Sequence, residues 1–420
     1  MSPRDLLIGS FHAALTAVRA DVILPAHLPA HGPLLVVGAG KAAAAMAACV
    51  EACLPDAELS GLVITRHGHA LPTRRIEVVQ AGHPLPDRAG LTAAQRLFEL
   101  VHAARPDMRV LALLSGGGSS LLSLPVAGVS LAELQQVTHA LLASGAAIAE
   151  INTVRKHLAQ TLGGRLAAVC AAPVSALLIS DVTGDDPAVI ASGPFAPDAT
   201  TFDDALAVLA RWNIAAPTAV VNHLQAGAAG EIEETPKPGL DCFTRVEHRI
   251  VANGRTALRA AADYFQRQGV QPVILGDTYT GEAREVAKVF AALAHEIRHH
   301  GNPWLPPLVL LSGGETSVTL DRPGRGGRNA EFLLALALTL NGLEDVHALA
   351  ADTDGIDGSE DNAGAIIGPD TLARAAALGV AARASLDRHD SYAFFSTLGD
   401  LLHTGPTRTN VNDFRAILIL

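Results

Sequence analysis

Apolar positions along the chain follow two alternating rhythms. Short runs of leucine, valine and isoleucine are separated by alanine-rich stretches whose apolar residues recur at helical spacing. Residues 34–37, 62–65, 76–79, 110–114 and 176–180 read as strands. Residues 5–20, 41–54, 89–104, 131–144, 147–158 and 203–212 read as helices. Strands alternating with helices predict an α/β fold with a mostly parallel sheet. An unbroken apolar run such as 110–114 predicts a strand covered on both faces.

The pattern changes at residues 226–241, where Gly227, Gly230, Glu231, Glu233, Glu234, Pro236, Pro238 and Gly239 crowd together. This reads as a linker or exposed excursion. Beyond it, strands are expected near 249–252, 272–275, 308–311, 317–320, 347–350 and 416–420, with helices near 255–268, 282–299 and 329–340. The expectation is an N-terminal Rossmann-like domain, residues 1–235, with a parallel sheet and helices on both faces. A C-terminal α/β domain with a mixed sheet follows, residues 236–420, its last strand free to join either sheet. A length of 420 residues suits two domains, at roughly 100–200 residues each.

Composition narrows the function classes. Hydrophobic residues at 49% and charged residues at 17% exclude disorder. The apolar excess is alanine, and the longest apolar stretch, 166–180, is cut by Pro173, so no membrane span is expected. The opening Arg4-Asp5 lacks the pattern of a signal peptide. A net charge of −11 argues against nucleic acid as a partner, since tracking phosphates needs a basic stripe. Cys49, Cys53, Cys170 and Cys242 form no CxxC, which suits free thiols in a reducing cytoplasm.

Candidate chemistry clusters at strand ends. Gly38-Ala39-Gly40-Lys41 follows one strand and opens an alanine-rich helix. Glycines there let backbone approach an anion, the helix start offers N–H groups, and Lys41 adds a charge. The same residues also spell a dinucleotide turn, with Arg66 placed for a 2′-phosphate, so a nicotinamide-dependent enzyme is a rival reading. Ser115-Gly116-Gly117-Gly118-Ser119-Ser120 can form a backbone nest for phosphate or carboxylate. It is echoed by Ser312-Gly313-Gly314, which suggests one anion-handling turn in each domain. Asp181 follows a strand where α/β ligands bind, and Asp185 and Asp186 are either its partners or caps. Arg155 and Lys156 are adjacent on a helix and cannot both face one cleft. Arg325 and Arg328, flanked by glycines at a helix start, can clamp phosphate or carboxylate. Asp352 and Asp354 resemble part of an EF-hand loop without its twelfth-position Glu, and suit Mg²⁺ shared with phosphate oxygens. Residues 404–413, including Asn410, are rich in hydroxyl and amide groups suited to a polyhydroxy substrate. His83-Pro84-Leu85-Pro86 reads as a rigid loop, where a cis-proline is allowed.

In their joint order these segments resemble the class II glycerate 2-kinase family, and the C-terminal half resembles that family's MOFRL domain. The resemblance implies ATP-dependent phosphorylation of D-glycerate at its C2 hydroxyl, giving 2-phospho-D-glycerate and ADP, in a cleft between two domains. It carries the family's essential lysine to Lys41. It carries the essential arginine to residues 324–329, where Arg325 is the first choice and Arg328 the second. Arg408 stands where the family often has glycine. NAD(P)H-dependent reduction of hydroxypyruvate, an older description of the family, is the alternative. On the kinase reading Lys41 and Arg325 neutralise phosphoryl group and carboxylate. Asp181, Asp352 and Asp354 serve Mg²⁺, with Asp181 and Asp354 also candidate proton acceptors. Gly38, Gly40, Ser115, Gly116, Gly117, Ser119, Arg155, Ser312, Gly313, Arg328 and Asn410 bind substrate or nucleotide. Neither nucleic acid nor membrane is an expected partner, and the reading leaves room for a homodimer.

Overall fold

The computed structural model describes residues 1–29, 32–322 and 324–420. The chain divides into two compact units: Ile23–Val251, and Met1–Val22 together with Ala252–Leu420.

The first unit is built on β1 (Leu34–Ala39), β2 (Leu59–Arg66), β3 (Ile76–Ala81), β4 (Arg109–Leu114), β5 (Val174–Ile179) and β6 (Val246–Ala252). Their order is β3-β2-β1-β4-β5-β6, and β1 to β5 run parallel. The chain moves outward from β1 to β3, then returns to lay β4 on the other side of β1. That reversal makes the ends of β1 and β4 the switch point where ligands of such sheets bind. Asp87 caps the helix Arg88–His102 by accepting from Gly90 N at 2.8 Å. Its Ala93, Ala94, Leu97 and Val101 share one core with Leu35, Val37 and Ala39 of β1. The helices Leu131–Ser144, Ile148–His157, Phe202–Arg211 and Thr218–Ala228 bury a separate apolar cluster that includes Leu134, Val154, Phe202 and Leu224.

Of the two readings of residues 226–241, the exposed excursion holds at 228–231 and 238–241, and the linker between units does not. Thr235 is buried, Asp198 N donates to Pro236 O at 2.9 Å, and the Glu234 carboxylate accepts from Phe202 N at 2.9 Å. The strand that follows, β6, joins the first sheet. The break between units therefore falls at 251/252 rather than 235/236. The helix Pro3–Ala17 packs on Gly254–Arg267 within the second unit, so closely that a Cβ on Gly9 would lie 2.1 Å from Tyr264 Oη. Periodicity identified these elements but carries no information about which sheet each joins.

The second unit contains β7 (Gln271–Glu282), β8 (Leu308–Ser317), β9 (Val346–Asp352), β10 (Gly364–Ile367), β11 (Leu401–Leu402) and β12 (Asp413–Ile419). Their order is β11-β10-β9-β12-β8-β7. Only β7 and β8 pair in parallel, so this sheet is mixed. The last strand lies between β9 and β8, which settles the placement left open above. The strand expected at 317–320 does not form, because β8 itself runs on to Ser317. Helices Ala283–His300 and Arg328–Leu340 cover the sheet through Phe290, Phe332 and Leu336. Among the described residues no helix is long and apolar enough to cross a membrane.

Candidate active site

The two turns at the switch point lock into each other. Lys41 N donates to Gly116 O at 2.9 Å, and Ala42 N donates to Ser115 Oγ at 3.0 Å. Gly40 N donates to Ile64 O, and Thr65 Oγ1 donates to Gly40 O at 3.0 Å. A Cβ on Gly38 would lie 2.2 Å from Leu113 O, and one on Gly40 (φ +136°) 2.1 Å from Ser115 Oγ. These two glycines are required by the approach of β4 and its turn, not by open space for an anion. The Lys41 and Ala42 amides, which a dinucleotide turn would offer to a pyrophosphate, are committed to residues 115 and 116.

The second turn presents the more open chemistry. Gly117 (φ +83°) opens the short helix Gly118–Leu121. A Cβ there would lie 3.6 Å from Lys41 Cγ and 2.9 Å from His83 Cδ2, so the Lys41 and His83 side chains both flank it. His83 precedes Pro84 across a cis peptide bond. Ser119 Oγ lies 2.8 Å from Ser192 Oγ, while Ala191 and Ser192 hold left-handed φ values of 52° and 57°. Two such residues in succession cost on the order of 1–3 kcal/mol each and recur at functional sites. Neither His83 nor Ser192 was assigned a role from sequence: Ala191-Ser192-Gly193-Pro194 was noted only as the continuation of the segment that begins at Asp181, and His83 only as part of a rigid loop.

Arg155, Lys156 and His157 end the helix Ile148–His157, which packs on the turn at 190–192, and burial holds the His157 imidazole below its ordinary pKa. Lys156 Nζ pairs with Asp198 at 3.3 Å, and His157 Nε2 with Glu234 at 3.0 Å. Arg155 points elsewhere, as adjacency demands. It is only 7% exposed; among the described residues its side chain has one hydrogen bond, to Asn152 Oδ1 at 3.5 Å, and no carboxylate pairs with it. Burial alone pushes its guanidinium down to about 10, still a cation at neutral pH. An uncompensated buried charge is costly unless something pairs with it. Asp181 follows β5, and Asp186 accepts from Ala188 N at 2.9 Å, so Asp186 is a turn cap.

In the second unit, charge converges on Arg328. Its Nε donates to Asp413 at 2.7 Å, one terminal nitrogen to Asp352 at 2.8 Å, and the other to Glu315 at 3.3 Å. Burial opposes its charge, yet Asp413, Asp352 and Glu315 hold its pKa well above the ordinary arginine value. Asp413 also accepts from Asn329 Nδ2 at 2.8 Å and from the fully buried Arg415 at 2.5 Å. Neither Asp413 nor Arg415 was singled out from sequence as a charged core: Asp413 was read only as the end of the 404–413 segment and Arg415 preceded the strand expected at 416–420, whereas both belong to β12. Arg325 is placed differently: 60% of its side chain is exposed, paired with Glu360 at 2.7 Å and stacked on Tyr392. Asp352 Oδ1 accepts from Asp354 N, and Asp354 Oδ1 from Ile356 N, which are Asx turns rather than a calcium loop. Among the described residues no group of three His, Cys, Asp or Glu side chains is arranged to hold a metal ion.

One expectation about turns does not hold. Ser312 and Gly313 are not a turn after a strand. They lie within β8, where Ser312 pairs with Arg415 of β12 and Gly313 O accepts from the Arg415 guanidinium at 3.1 Å. Ladder pairing on both sides of β8 explains the difference. Hydroxyls of 404–413 also tie that segment to other parts of the unit: Thr407 Oγ1 donates to Thr353 O, and Thr409 Oγ1 to Val18 O at 3.0 Å. Asn410 is buried beside them, and Asn412 N donates to its Oδ1 at 3.3 Å.

A Rossmann-ordered sheet with interlocked switch-point turns, continued by a mixed-sheet unit with an arginine–carboxylate cluster, defines a two-unit α/β protein whose cations suit small anionic ligands. Residues 6–225 match the family described as Domain of unknown function (DUF4147), and residues 308–413 match the MOFRL family. A protein of Agrobacterium vitis provisionally named hydroxypyruvate reductase is 49% identical over 424 residues, covering 100% of this chain and 95% of its own. The D-glycerate 2-kinase of Thermotoga maritima is 41% identical over 389 residues, covering 92% of this chain and 91% of its own. The crystal structure of glycerate kinase from Thermotoga maritima superposes with a TM-score of 0.88 at 39% identity, covering 99% of both chains. The chain belongs to the class II glycerate kinase family, in which a DUF4147 segment is followed by a MOFRL segment.

Proposed function

We propose that this enzyme transfers the γ-phosphoryl group of ATP to the C2 hydroxyl of D-glycerate, giving 2-phospho-D-glycerate and ADP. The observation that carries the reading is the state of the β1 turn. Its amides are taken by Ser115 and Gly116, while the Lys41 side chain is held beside Gly117. Such a turn supplies a cation to phosphate chemistry more readily than a backbone cradle to a dinucleotide.

Phosphoryl transfer asks for alignment and charge neutralisation more than covalent chemistry. Lys41, with the turn from Ser115 through Gly116 and Gly117 to Ser119, holds phosphate oxygens. Arg155 receives an anionic group of substrate or nucleotide, which would relieve its unpaired burial. Arg328 takes the role of essential arginine ahead of Arg325, since it is the one gathered with Asp352. Mg²⁺ is commonly held by one or two carboxylates together with substrate phosphates. The hard oxygen donors of Asp352 and Asp354, or of Asp181, fit that habit. When bound, the ion neutralises charge on the phosphate oxygens. Asp181 and Asp354 remain candidates for accepting the C2 hydroxyl proton. The four cysteines are free thiols, which suits the cytoplasm.

The test is ³¹P NMR of a reaction containing ATP, Mg²⁺ and D-glycerate, with NADH and hydroxypyruvate in a parallel tube. A 2-phosphoglycerate resonance that requires ATP, fades on chelation of Mg²⁺ and is lost in Lys41→Ala is expected. NADH oxidation without a phosphoester would replace this reading with the reductase.

A further inference from the structure

The last turns of the helix Ala283–His300 spell His295-Glu296-Ile297-Arg298-His299. Histidines four apart share one helix face, with Cβ atoms about 5–6 Å apart, so both imidazoles can reach one ion at about 2.0–2.1 Å per bond. Here the two rings lie nearly parallel, 17° between planes and 5.7 Å between centroids. Both line a surface depression of about 640 Å³, closed on its far side by Thr339 to Glu344. Arg298, between them in sequence, does not contest a cation, because its guanidinium is neutralised by Asp345 at 2.7 Å. His295 Nε2 approaches Thr339 O only to 3.5 Å, too long to hold the ring. The rings also sit at a helix C-terminus, where the backbone dipole favours positive charge.

We propose that His295 and His299 chelate a divalent transition ion of the imidazole-preferring class, Zn²⁺, Ni²⁺ or Cu²⁺. Imidazole selects these over Mg²⁺ and Ca²⁺, and every residue involved lies outside the candidate active site. The His-Glu-x-x-His spelling is also that of zinc peptidase helices. A catalytic zinc needs three protein ligands, and among the described residues no third His, Cys, Asp or Glu joins the pair. Water completes this site, so it binds without hydrolysing peptides.

The experiment is calorimetric titration of tag-free protein with NiCl₂, followed by EPR of the Cu²⁺-loaded protein. The expected result is one ion bound at micromolar Kd with two imidazole nitrogens on copper, unaffected by excess Mg²⁺. Affinity falls at least tenfold in His295→Ala and in His299→Ala but not in His300→Ala. Circular dichroism confirms that each variant is folded, and Ni²⁺ raises the Tm of wild type and His300→Ala alone. Absence of binding by wild type overturns the proposal. So does retention of wild-type affinity by either His295→Ala or His299→Ala.

Discussion

Arg155→Met separates stability from function at one buried atom group. The residue is 7% exposed, has one 3.5 Å amide contact, and its guanidinium is pushed down to about 10 by burial alone. At about 1.4 kcal/mol per unit, that displacement represents about 3 kcal/mol of destabilisation of the charged form. Methionine keeps an unbranched apolar stem of similar reach and removes the charge. Replacing a buried ion by a well-packed apolar side chain is often neutral or stabilising. The expected gain is about 1–3 kcal/mol, or about 2–4 °C of Tm per kcal/mol for a unit of this size. Losing a charge-assisted bond to substrate should lower kcat/KM by about 10²-fold, equivalent to about 3 kcal/mol. Thermal melts and an ADP-release assay measure the two effects on one preparation. Adding D-glycerate or ATP should raise the wild-type Tm by mass action and leave the variant's nearly unmoved. A variant that melts lower than wild type and keeps its kcat/KM would refute the reasoning, because it would mean that Arg155 is structurally satisfied.

Other residues make sharp contrasts. Lys41→Ala should reduce kcat by about 10³-fold, by analogy with the loss of other phosphoryl-transfer cations, while melting within a few degrees of wild type. Arg328→Gln removes the cation shared by Asp413, Asp352 and Glu315 and should cost about 3–5 kcal/mol in urea melts. Arg325→Gln removes an exposed pair and should leave stability unchanged, so its kinetics alone decide whether it acts in catalysis. Burial would raise the Asp198 carboxyl, but Lys156 and Thr200 outweigh it and hold it below the ordinary value. A depressed folded pKa gives stability that is complete above about pH 4 and is lost as pH falls further. Asp198→Asn should therefore unfold more easily at pH 7 and lose less on acidification, as followed by urea titrations between pH 7 and 3.

Most of the first sheet was legible because its strands are apolar runs bounded by glycine turns, and β1, β2, β3, β4 and β5 lie where periodicity located them. The short helices Thr371–Ala377, Ala382–Asp387 and Ser391–Leu398 were not read, since two turns of helix carry too little periodic signal. Lys41 stood out in sequence because it sits in a glycine turn. What its neighbours do was invisible: Ser115 capping Ala42, or His83 reaching Gly117, are contacts between residues far apart in the chain. The Ser-Gly-Gly echo misled for the same reason. In one copy the chain leaves the sheet, in the other it stays in the ladder, and only the partner strands decide. Asp198 pairs with Lys156 and Glu234 hydrogen-bonds His157 from other segments, so the separate position of Arg155 emerges only when the helix is packed.

The N-terminal helix has a consequence for biogenesis. Its Leu7, Phe11 and Ala14 are buried in the finished protein, yet the helix Gly254–Arg267 that it packs on emerges from the ribosome much later. At about 5–20 residues per second the delay is on the order of ten to fifty seconds. Throughout that interval the whole Ile23–Val251 unit can fold while an amphipathic segment hangs unpartnered from its start. The nascent chain thus presents a sticky leader until its second half arrives, and that leader is the natural place for a holding chaperone to act.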